Sequence, residues 1–174
     1  METKWIVFLV LLIPFWLLQN TIHELSHGLT RYIGWKWKFK LWPFPSWKLG
    51  RFTFAHVKYE KTEESKELTD KDKALVSVMP KIVNAVFIIM AAILSAAITN
   101  KVASIIFLTF TWFNFIDFCT GFVSVFFREP NESDMWRFQR RLDLPVKLFK
   151  ALSVGAIIYM ALPIALSTIS FFAG

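Results

Sequence analysis

Cysteine is almost missing from this chain. Cys119 is the single one in 174 residues, which excludes an intramolecular disulfide framework and a cysteine-based zinc site. Histidine is scarce too, at three. No polar stretch is long enough to build a separate soluble domain, and there is no internal repeat or low-complexity tract. A cleavable leader is not expected: Met1 to Lys4 is barely basic, and no Ala-x-Ala-like site follows the first apolar run. What the chain has in excess is apolar surface. It is 55% hydrophobic, with eight Trp and nineteen Phe. So much greasy surface in so small a chain predicts an all-α integral membrane protein with the lipid bilayer as its partner.

Four apolar segments are long enough to span, at about 4–32, 72–99, 101–127 and 146–172. Pro14 and Pro163 fall inside the first and last, where neighbouring helices can satisfy the freed carbonyls. Asn100-Lys101 leaves so short a turn that segments two and three must form an antiparallel hairpin. Of 20 Lys and Arg, eleven lie between Arg31 and Lys73 and six between Arg128 and Lys150. The positive-inside rule puts both of these loops in the cytoplasm and both termini outside a multi-pass cell-membrane protein. Arg137 to Arg141 reads as a basic cytoplasmic flank, with no nucleic acid as partner.

The first loop carries structure of its own. From Trp35 to Leu41 apolar residues and lysines alternate strictly, the period of a β-strand with one greasy face. Pro43-Phe44-Pro45 interrupts it, and Arg51 to Tyr59 reads as a second strand. A small amphipathic β-hairpin over about 35–59 is expected, anchored at the membrane interface by Trp and Lys.

Two of the three histidines sit in Thr21-Ile22-His23-Glu24-Leu25-Ser26-His27-Gly28, at the end of the first apolar run. On a helix His23 and His27 lie one turn apart and point the same way. Two imidazoles so placed can hold one Zn2+ per chain, and Glu24 can serve as general base toward a metal-bound water. Zinc in a hydrolase takes a third protein ligand. Asp117, Asp134 and His56 are the candidates, and Asp117 is favoured. Apart from Glu24 it is the acid that lies inside a span, where an ionisable group is expensive to keep. Depth agrees: His23 is 19 residues past Lys4, ~28 Å along a helix, and Asp117 is 16 past Lys101, ~24 Å. Asn114, one turn before Asp117, could bond the aspartate, a substrate carbonyl or a developing oxyanion.

At His23-Glu24-Leu25-Ser26-His27-Gly28-Leu29 the chain resembles the site-2-protease type of intramembrane zinc metalloprotease, and most of all the small zincin-type membrane peptidases related to it. Met79-Pro80 at the onset of the second span, after Leu68-Thr69-Asp70-Lys71-Asp72, has the look of that smaller group. The resemblance implies zinc on His23, His27 and Asp117, with Glu24 as the catalytic residue that activates water. The family's Asn-x-x-Pro-x-x-x-Leu-Asp-Gly motif is matched only as Asn114-Phe115-Ile116-Asp117. The expected function is hydrolysis of peptide bonds in a membrane-protein or peptide substrate. A non-catalytic adaptor or immunity-type membrane protein keeping a structural metal is the alternative. A small transporter fits less well, since there is no inverted repeat.

Overall fold

The computed structural model describes residues 3–48, 51–53, 55–127 and 133–173. Among them are five helices: α1 (Thr3–Trp35), α2 (Asp70–Ala97), α3 (Lys101–Phe127), α4 (Asp134–Arg141) and α5 (Val146–Ala173). Three contain stretches long and apolar enough to cross a membrane: Asp70–Ala97, Lys101–Phe127 and Val146–Phe171. The remaining expected span, residues 4–32, falls within the 33-residue α1. Large apolar side chains are exposed along α1, α2, α3 and α5, among them Ile13, Ile93, Ile116, Leu166 and Ile169. A face of this kind suits lipid better than water.

Local chemistry explains the helix limits. Thr69 caps α2 in a reciprocal box: its hydroxyl accepts from the Asp72 amide at 3.3 Å, and the Asp72 carboxylate accepts from the Thr69 amide at 2.9 Å. Asn100 accepts from the amides of Val102 and Ala103, capping α3 directly after α2 ends. That makes the expected tight hairpin, and Ser104 seals it by donating to the Ser95 carbonyl at 2.8 Å. Small residues at this crossing let the two backbones approach closely. Within α1 the hydroxyls of Thr21, Ser26 and Thr30 each donate to the carbonyl four residues back. A polar stretch thereby continues an apolar helix without stranded donors.

Two apolar clusters organise the bundle. Ile88 of α2, Phe118 of α3, and Met160 and Ile164 of α5 form one. Val125, Met135, Trp136 and Phe149 form the other, which fastens α4 beneath α3 and α5. The short helix α4 was not expected in what reads as a cytoplasmic loop. Ser133 caps it by accepting from the Trp136 amide, and burial of Met135 and Trp136 stabilises a helix too short to stand alone. Residues 128–132 of the same loop lie outside the described residues. On the other side of the bundle, Phe15 of α1 packs on Phe110 and Phe113 of α3, with ring centroids 5.7 and 6.4 Å apart.

The β region is more divided than the single expected hairpin. β1 (Lys38–Trp42) pairs antiparallel with β4 (His56–Glu60), and β2 (Ser46–Lys48) with β3 (Arg51–Thr53). Pro43 to Pro45 separates the two ladders, since proline offers no amide to a ladder. Alternation over 35–37 does not extend the strand. Trp35 closes α1, Lys36 turns the chain at φ 60°, and the Trp37 indole donates to the Lys66 carbonyl at 2.9 Å. Alternation is real in β1, where Phe39 and Leu41 are half-buried and Lys38, Lys40 and Trp42 exposed. The greasy face packs on α1, and Gly28 makes room for it: a Cβ there would lie 2.6 Å from the Phe39 ring.

Gly28→Ala should therefore lift the sheet off α1 and raise protease cleavage between residues 36 and 62. Gly34→Ala, whose Cβ meets nothing within 4 Å, should leave the cleavage pattern unchanged.

Candidate metal centre

Three helices, α2, α3 and α4, converge on the His-Glu-x-x-His turn of α1. His23 and His27 stand as its helical spacing dictates, with ring centroids 5.2 Å apart. Each ring is fixed through Nδ1. His27 Nδ1 donates to the Val76 carbonyl of α2 at 2.8 Å, and His23 Nδ1 donates to Asp117 Oδ2 of α3 at 3.0 Å. Both acceptors lack a proton, so each contact selects the Nδ1–H form and leaves Nε2 as the inward-facing atom. The two Nε2 atoms meet one oxygen, Asp134 Oδ2 of α4, at 3.4 Å from His23 and 3.1 Å from His27.

Among the described residues, His23, His27 and Asp134 form the group able to hold a metal ion, with donor atoms all within 4.8 Å of one another. Lone pairs turned toward one another require a shared positive charge, either a proton or a cation. The separations suit a cation: two ligands ~2.1 Å from a tetrahedral zinc stand roughly 3.4 Å apart. Burial alone would raise the Asp134 pKa. Hydrogen bonds from the two imidazoles and their charge outweigh it, and hold the carboxyl well below the usual carboxylate range.

Asp117 does reach His23, as its depth in the third span predicts, but at Nδ1, and it stands outside the convergent trio. Its Oδ2 is also bonded by Lys81 Nζ at 2.9 Å and by Asn84 Nδ2, while Lys81 bonds the Asp117 carbonyl at 2.7 Å. Gln19 of α1 extends the network, donating to Asn84 Oδ1 at 2.8 Å. Lys81 can lie across α3 because residue 121 is glycine; a Cβ there would collide with Lys81 Cε. His56 lies apart on β4, beside the Ser46 hydroxyl at 3.3 Å. Asn114 is fully buried and donates to the Phe110 carbonyl. Asn84 therefore holds Asp117, in the place expected for Asn114.

A cavity of about 440 Å³ opens on the trio. Glu24, Tyr59, Lys81, Asp117, Arg31, Arg137 and Arg141 share its wall. The Tyr59 phenol is pushed up to about 12, first by burial, with the nearby Arg31 charge opposing and the Glu24 and Asp134 charges adding to it. It stays a protonated donor at neutral pH. Arg141 is held below its ordinary value by burial and then by the charges of Arg137 and Arg31. A second cavity of about 530 Å³ lies between α1 and α3, and Asp117 and Thr120 line both.

Sequence reasoning missed Lys81, Asn84, Tyr59 and Arg31. A signal for the first two was present. Ser77, Lys81 and Asn84 recur at helical spacing in an apolar span, and polar groups there need partners. No protein-family model, curated protein or solved structure matches the chain.

Metal analysis of the purified protein should give one divalent ion per chain. His27→Ala and Asp134→Ala should remove it. Asp117→Asn should retain the site with affinity weakened about 10–100-fold, the usual effect of a residue that orients a ligand.

Proposed function

We propose that the chain is an integral-membrane zinc peptidase of the site-2-protease kind, with His23, His27 and Asp134 as the ligands. The observation that carries this reading is the convergence of both Nε2 atoms on Asp134 Oδ2 in a cavity that Glu24 also lines. Asp117 then orients His23 rather than binding the ion. A carboxylate behind the ligating imidazole is a recurrent way to fix its tautomer and raise its basicity.

A zinc ion held by His23, His27 and Asp134 would supply Lewis-acid chemistry beside Glu24. Glu24 would take a proton from the water whose oxygen adds to the scissile carbonyl carbon, and would return it to the leaving amine. The peptide bond breaks, giving a carboxylic acid on one product and an amine on the other. The Val76 carbonyl and Asp117 keep the two rings from turning. Tyr59, kept protonated, donates to the oxygen that gains negative charge.

The four-span topology belongs to the same proposal. With α1 as the first span, both termini lie outside and the basic loops in the cytoplasm. The trio then sits toward the cytoplasmic end of the bundle, where water can enter. A structural-metal protein without activity is the competing reading. It is favoured by the Asp117, Lys81, Asn84 and Gln19 network, in which Asp117 Oδ2 is already claimed by three protein donors.

Glu24→Gln should retain zinc while lowering cleavage of a membrane-anchored reporter in proteoliposomes by about 10²–10⁴-fold. Equal rates would favour the structural-metal reading. Tyr59→Phe should lower kcat by about 10²-fold with little change in KM.

A further inference from the structure

The metal-binding ends of two helices run on into arginine. On α1 the face of His23 and His27 continues at four-residue spacing to Arg31, ~6 Å further along the axis. On α4 Asp134 is followed on the same face by Arg137 and Arg141, ~4.5 and ~10 Å further. All three guanidinium groups line the cavity that holds the trio. With Lys81 they make four cations against the three carboxylates of Glu24, Asp117 and Asp134.

Two of these cations are paired with acids of the same cavity and two are not. Lys81 is committed to Asp117. Arg137 touches the outer oxygen of Asp134, with Nη1 3.4 Å from Oδ1. Arg141 uses Nη1 on the Lys73 carbonyl and the Ser77 hydroxyl, both at 2.7 Å. Arg31 Cζ lies over the Tyr59 ring, 3.9 Å from its centroid, and its buried Nε has no hydrogen-bond partner among the described residues. Among the described residues neither Arg31 nor Arg141 pairs with a carboxylate. A divalent ion at the trio would add to the positive surplus.

We propose that the three arginines form an anion subsite for the free C-terminal carboxylate of the substrate, so that the enzyme trims peptide ends rather than cutting inside a chain. The inference rests on the peptidase reading above. The spacing selects a carboxylate close to the reacting bond. One extended residue spans at most ~3.6 Å, so a terminus one or two residues past the scissile carbonyl reaches the zone of Arg31 and Arg137. Planar guanidinium forks match a carboxylate in two-pronged fashion. Because the subsite opens on the metal cavity, it meets the end of a chain at the place of cleavage.

The test uses the full-length protein with cobalt(II) in place of zinc, titrated by its visible spectrum. The probe is a hydroxamate joined through one phenylalanine to a free carboxylate, beside the same compound as a carboxamide. The acid should bind at least about tenfold more tightly, the scale of a charge-assisted pair. Arg31→Gln and Arg31→Gln/Arg137→Gln should remove that preference, and Lys58→Gln on the exposed face of β4 should keep it. Equal affinity of acid and amide on cobalt-loaded protein overturns the subsite while leaving the metal centre intact. Tighter binding of a phosphonate-ended probe than of the carboxylate overturns it in favour of a phosphate-bearing ligand. If cobalt does not bind, the peptidase reading fails by itself. Tryptophan fluorescence of the metal-free protein with the same two probes then decides the subsite: an acid preference lost in Arg31→Gln supports it, and no preference overturns it.

Discussion

A single oxygen, Asp117 Oδ2, ties three helices together. It accepts from His23 of α1 and from Lys81 and Asn84 of α2, while its own backbone belongs to α3. A carboxylate in an apolar bundle is tolerable only when its charge is balanced and its lone pairs are filled. Here Lys81 balances the charge and three donors converge on Oδ2, and the partners are thereby fixed in place. His23 cannot rotate without breaking the bond that selects its tautomer. Lys81 cannot withdraw without leaving a charge behind. The rest of the site inherits this rigidity.

What was legible in the residues was whatever repeats locally. Helical spacing placed His23, Glu24 and His27 on one turn, apolar length marked out α2, α3 and α5, and alternation over Phe39 to Leu41 marked β1. Depth arithmetic brought Asp117 to His23. Depth does not say which ring nitrogen an acid will meet, nor how many other donors will claim it. Asp134 lies 107 residues beyond His27, and its approach depends on α4. That helix draws its stability from burying Met135 and Trp136 against the bundle, a tertiary cause that no local pattern carries. The same holds for Trp35 to Trp37, where an alternating pattern gave way to a helix end and contacts with residues 62–66.

The cavity joins two kinds of surface. Its metal side is built from α1 and α4, with the two imidazoles held by the Val76 carbonyl and the Asp117 carboxylate. Its arginine side is built from the end of α1 and from α4. Polar groups are thus gathered at one cavity, while large apolar side chains stay exposed along the long helices. In the proposed enzyme the reacting bond would lie at that boundary, and a substrate would need only its last residues drawn out of the membrane.

One consequence follows from the eight-residue length of α4. A helix of two turns has little independent stability, yet it contributes the oxygen that faces both imidazoles. An ion held by all three donors would act as a rivet between the first and fourth helices. Loading the metal and closing the floor of the chamber would then be a single event, so that a chain deprived of the ion would lose its shape at the same place as its chemistry.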